Sequence, residues 1–116
     1  MTLQIEIDTF DRHLIEDLLG ERDTYASGDH VDIPGLENAS VTYDGFVGRK
    51  AVGFPETILL SVVLPTASSI AANVIASWLT SKLQGRANEV RINRRNVELK
   101  DGEIVRIIEE VEERQR

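Results

Sequence analysis

The sequence predicts an α+β domain. A small, mostly antiparallel sheet, built from an N-terminal strand and two hairpins, packs against a long central helix with two shorter amphipathic helices beside it. Three observations carry this expectation. Leu3, Ile5 and Ile7 alternate with Gln4, Glu6 and Asp8, the period of a half-buried strand. Ile104, Ile107, Ile108 and Val111 fall at i, i+3, i+4 and i+7, the apolar stripe of a helix. Between them, the 25 residues from Thr57 to Ser81 carry no formal charge in a chain that is 28% charged.

In chain order, the first strand spans about residues 3–8. Asp8 or Thr9 is placed to cap a helix whose apolar face is Leu14, Ile15, Leu18 and Leu19, with Gly20 as its stop. Residues 21–39 are polar, contain Gly and Pro, and read as a loop. Ser40 to Tyr43, then Asp44-Gly45, then Phe46 to Lys50 reads as a hairpin, because Asp-Gly suits the positive φ angles of a type I′ turn. Gly48 and Gly53 weaken its second strand. Pro55-Glu56 resembles a helix opening.

Ile58 to Leu64 is almost continuously apolar, and periodicity does not separate strand from helix there. Pro65 interrupts it with a kink or break. Thr66 or Ser68 restarts a helix that runs to about Gln84, with Gly85 at its end. Val90 and Ile92 on one side, and Val97 and Leu99 on the other, bracket Asn93-Arg94-Arg95-Asn96 as a second hairpin with the arginines near its tip. The sheet thus draws on residues 3–8, 40–50 and 89–99. Asp101 caps the last helix, and the polar tail frays after Val111.

A chain of 116 residues is read as a single domain, 1–116, large enough to fold without disulfides or metal. It has no cysteine, which excludes a disulfide scaffold, a thiolate zinc site and a cysteine nucleophile. No basic segment followed by an apolar run opens the sequence, so no secretory signal is expected, and Asn38-Ala39-Ser40 is read as a chance sequon. The expected location is cytoplasmic, with membrane association as the alternative. A net charge of −7 disfavours nucleic acid on average.

The charge-free stretch is long and apolar enough to raise the membrane alternative, with the 57–81 segment inserted. Its internal pattern argues against that. Ala67, Ile70, Ala71, Val74, Ile75, Trp78, Leu79 and Leu83 line one face, while Ser69, Asn73, Ser77 and Ser81 repeat on another. A lone span facing lipid gains nothing from a polar row; a helix packed on a sheet does. Ser68, Ala72, Ala76 and Thr80 form a neighbouring row of small residues. This row is a candidate interaction face, because small side chains permit close approach of a second helix. It equally fits beneath a neighbouring loop of the same molecule.

Few constellations suggest chemistry. Asp29, His30 and Asp32 have metal-compatible side chains, but adjacent residues do not supply a shell, and a solvated loop is the simpler account. His13 stands near Glu16 and Asp17, whose neighbouring positions on a helix point apart rather than pair. No nucleophile elbow, phosphate-binding glycine loop, kinase or zincin signature occurs, and no cofactor or metal is expected. Arg91, Arg94 and Arg95 are candidate anion contacts, since arginine at a hairpin tip can grip phosphate or carboxylate. With no aromatic residue in that hairpin, the arginines equally serve to keep an edge soluble or to pair with the acidic C-terminal helix.

Residues 57 to 111 have a recognisable order: a small-residue helix ending in Ala76-Ser77-Trp78-Leu79, a basic stretch, a strand pair and a short amphipathic helix. This order resembles the effector-associated constant components of bacterial conflict systems. The resemblance implies a non-catalytic partner of an effector enzyme and carries over no functional residues. The expected function is therefore a non-enzymatic interaction or accessory module, self-associating through the central helix. Its partner is then itself or another protein. Phosphate or nucleic-acid contact through the arginine hairpin is a weaker alternative.

Overall fold

The computed structural model describes residues 1–48, 53–64 and 69–114. The fold is α+β, a six-stranded antiparallel sheet with three helices. The strands are β1 (Thr2–Thr9), β2 (His30–Asp32), β3 (Ser40–Val47), β4 (Glu56–Val63), β5 (Glu89–Ile92) and β6 (Arg95–Val97). The helices are α1 (Leu14–Leu19), α2 (Ser69–Leu83) and α3 (Asp101–Arg114). The sheet order is β2-β3-β4-β1-β5-β6.

Cross-strand rows explain why the two faces differ. Tyr43, Leu60, Ile5 and Ile92 lie side by side across four strands, and Ile58, Ile7 and Val90 form the next row. All are buried, and with the apolar residues of the three helices they make one core. The alternate positions make the opposite face, where Leu59, Glu6, Arg91 and Asn96 form one row and Thr57, Asp8 and Glu89 the next. This face is mostly polar, as the period of two requires for a sheet covered on one side.

The charge-free stretch divides between two elements. Thr57–Val63 belongs to β4, between β3 and β1 in the sheet. The second part is α2. No helix among the described residues is long and apolar enough to cross a membrane. The insertion of 57–81 as one span is therefore corrected. Pro65 and the expected restart at Thr66 or Ser68 lie outside the described residues, as do Arg49 and Lys50 of the expected first hairpin.

Other expectations are corrected too. Asp44-Gly45 is no hairpin turn: β3 runs through it, with a bulge between Tyr43 and Gly45, and Gly45 sits at φ 124°. A bulge and a type I′ turn both draw on glycine at positive φ, so the dipeptide did not separate them. The extra residue shifts the alternation, so that Phe46 pairs with inward-facing Ile58. Pro55-Glu56 opens a strand, not a helix. The loop read over residues 21–39 contains β2, which pairs with β3.

Neither Asp8 nor Thr9 caps α1, because β1 extends through Thr9 and His13 occupies the N-cap position. Gly20 ends α1 at φ 83°, its amide donating to the Glu16 carbonyl at 2.8 Å. At 14 residues, α3 is shorter than the 15-residue α2 by a single residue. Ile104, Ile107, Ile108 and Val111 are its buried residues.

Candidate functional site

The small-residue row is not an outward face. Ala72 and Ala76 are fully buried in the chain's own core. Thr80 is half-buried, with an Oγ1 that finds no hydrogen-bond partner among the described residues. Ser68 lies outside the described residues. The small side chains let α2 settle close to its own fold, so the row is spent internally. Its burial leaves Ile70, expected on the apolar face, 73% exposed. Beside it, Asn73, Ser77 and Ser81 form an exposed and uncharged face.

The arginines do not converge. Arg91 projects from the polar sheet face, where both Nη atoms donate to the Asp8 carboxylate at 2.9 Å. Its Nε donates to Glu6 and its Nη1 also to Glu89, each at 3.2 Å. Asp8 is accordingly held below the ordinary carboxylate value, chiefly by hydrogen bonding from Arg91. A guanidinium so enclosed spends four of its five N–H donors on three carboxylates, whose charge also repels a phosphate.

Arg95 pairs with inward-facing Ile92, on the other side of the sheet from Arg91, and bonds Glu110 of α3. Arg94 occupies the exposed turn at φ 68°. The anion grip by Arg91, Arg94 and Arg95 is corrected, because two of the three are neutralised on opposite faces. Pairing with the acidic C-terminal helix, the other reading of Arg95, is what occurs.

Asp29 is a loop brace. Its carboxylate accepts from the Ala26 amide at 2.9 Å and pairs with Arg22 at 3.3 Å. His30 and Asp32 are exposed ends of edge strand β2. Among the described residues, no group of three or more His, Asp or Glu could hold a metal. His13 lies 3.6 Å from Glu16, both well exposed.

The feature that combines shape, apolar surface and charge lies elsewhere, where β1, β3 and β4 end together. A cavity of about 380 Å³ opens between the start of α1 and the end of β3. A second, of about 150 Å³, shares Thr9, Asp11, Arg12 and Glu56 with it; the two adjoin, Phe46 lining the first and Phe10 and Phe54 the second, and are treated together as one groove. All three phenylalanines of the chain border this groove. Phe10 is 57% exposed, Phe46 60% and Phe54 52%, and Val47, next to Phe46, is 52% exposed.

Each wall has a local cause. Phe10 follows the last residue of β1. Phe46 is turned to this side by the bulge. Phe54 precedes β4, whose Glu56 pairs with Thr9. Tyr25 and Tyr43 meet edge to face at the inner wall, with ring centroids 6.1 Å apart. The Tyr25 hydroxyl donates to the Gly20 carbonyl at 2.8 Å, and burial pushes the Tyr43 phenol above its ordinary value.

The floor is braced. The Thr9 hydroxyl donates to the Arg86 carbonyl at 2.6 Å and accepts from the Asp11 amide at 2.9 Å. Arg86 Nε donates to Asp11 at 2.6 Å, and its Nη1 reaches Asp17. Hydrogen bonding from Arg86 is the main cause that lowers the Asp11 carboxyl. Asp23 and Glu56 also line the groove and have no ion pair among the described residues. Among the described residues, three carboxylates thus stand against one lining guanidinium, that of Arg12.

Sequence reasoning missed this groove. The signal available was that every phenylalanine stands next to or near a glycine or a strand end rather than within an apolar run. No protein-family profile, no curated protein and no solved structure matches the chain.

Proposed function

We propose that the protein is a non-enzymatic interaction module whose docking surface is the groove at the ends of β1, β3 and β4. The observation that carries this reading is the gathering of all three phenylalanines, each more than half exposed, around one groove. Large aromatic side chains left in water around a concavity are the usual anchors of a protein contact. The braced floor favours binding over motion, because little ordering remains when a partner arrives. The resemblance of residues 57 to 111 to the effector-associated constant components agrees with a non-catalytic partner role.

The test is photo-crosslinking in cells, with benzoylphenylalanine placed at Phe46 or Phe54, and at the exposed Glu109 as a control. The reading expects a discrete protein adduct from the two groove positions that is lost on Phe10→Ser. Groove adducts no stronger than those of an unrelated surface position would contradict it.

A second reading keeps self-association through α2, taken as the central cover of the sheet. It now rests on the outward face of Ile70, Asn73, Ser77 and Ser81, which carries no charge. Sedimentation of the full chain decides it. A monomer at all concentrations removes this reading, and an Ile70-dependent dimer supports it.

A further inference from the structure

We propose that the groove selects a basic side chain, arginine above lysine, presented between apolar residues of a partner protein's segment. This rests on the docking reading above and adds the chemistry of what docks. The larger cavity, about 380 Å³, falls within the size range of ligand pockets, and it is lined by both rings and carboxylates. Tyr25 and Phe46, with the buried Tyr43 behind them, supply aromatic surface on which a planar guanidinium stacks. Asp23 and Glu56 supply acceptors with no ion pair among the described residues, whereas Asp11 is already engaged by Arg86.

The opposite charge of ligand fits poorly. An acidic segment meets three lining carboxylates and a chain of net charge −7, with Arg12 as the lone lining cation among the described residues. A purely apolar segment leaves Asp23 and Glu56 to be covered without partners, which carries a desolvation penalty. A basic residue flanked by apolar ones answers both features: its head meets the acids, and its neighbours cover Phe10, Phe46 and Phe54. Long-range attraction to the acidic chain also speeds encounter.

The experiment titrates the full chain with two capped five-residue peptides that differ at one atom group. One has a central arginine between two leucines; the other has citrulline, the neutral isostere. Binding is read from the backbone amide shifts of Thr9, Arg12, Thr24 and Phe46. The arginine peptide is expected to bind about tenfold tighter than the citrulline peptide, in the range of a cation–π contact with an added charge-assisted hydrogen bond.

Asp23→Asn with Glu56→Gln is expected to bring the two affinities together, and Arg12→Gln to strengthen the arginine peptide. None of these exposed side chains belongs to the core, so the variants fold. Equal affinities in the unaltered protein overturn the charge selection and leave the docking reading standing. No groove shift with either peptide overturns the proposal and speaks against the docking reading as well.

Discussion

Arg91 grips Asp8 with both terminal nitrogens, each 2.9 Å from a carboxylate oxygen, across the β1–β5 pairing. Glu6 and Glu89 flank the same guanidinium, so one cation holds three acids together on the polar face. Removing it leaves three like charges side by side. Arg91→Met is expected to destabilise the fold by about 1–2 kcal/mol, between an exposed ion pair and a buried one. Urea unfolding at neutral pH measures this.

The same pair sets an acid dependence. The folded-state value of Asp8 lies below its ordinary 3.8. Its contribution to stability is therefore present above pH 3.8 and is lost as pH falls through the lowered value. Arg91→Met removes the main cause of the shift, so its stability should fall less steeply with acid in that window. Unfolding midpoints at a series of pH values would reveal this, and parallel curves for both proteins would contradict it.

Thr80 presents a buried hydroxyl without a partner among the described residues. An unsatisfied buried polar atom costs about 1–3 kcal/mol. Thr80→Val keeps the shape and removes the hydroxyl, and is expected to raise stability by about 1 kcal/mol. Thermal unfolding followed by circular dichroism checks the direction.

The rotation of α2 makes opposite forecasts for two residues. Ala76 is fully buried, so Ala76→Leu overpacks the core and should destabilise by about 1–3 kcal/mol. Ile70 is 73% exposed, so Ile70→Ser should change stability by less than about 0.5 kcal/mol. The reverse ordering in denaturant unfolding would mean the helix faces the other way.

The Asn93-Arg94 turn carries positive φ at both positions, 49° and 68°. Asparagine tolerates this; arginine does so at a cost of about 1 kcal/mol. Arg94→Gly is expected to stabilise the hairpin by up to about 1 kcal/mol, less the greater freedom glycine has when unfolded. The turn is already fixed by mutual bonds between Asn93 and Gln4, at 2.8 Å each way, so the substitution changes strain rather than register.

What could be read from the sequence follows from how local each signal is. Leu3, Ile5 and Ile7 alternate, and the α3 stripe repeats, because one element decides each pattern. Ile58, Leu60 and Val62 alternate as well, but Leu59 and Val63 fill the polar-face positions with apolar side chains and hide the strand. In α2, alanine at 72 and 76 satisfies either an inner or an outer face, so composition alone did not set the helix's rotation. The groove was least legible, since Thr9, Phe46 and Glu56 meet only once β1, β3 and β4 are in register.

The central claim is that Phe10, Phe46 and Phe54 serve binding rather than folding. The most direct measurement is made on the full chain carrying all three phenylalanines as serine, comparing its thermal midpoint and the crosslinking from position 47 with those of the unaltered chain. The account predicts a midpoint within a few degrees of the original and loss of the adduct. A collapse of the midpoint, or an adduct of undiminished strength, would contradict it.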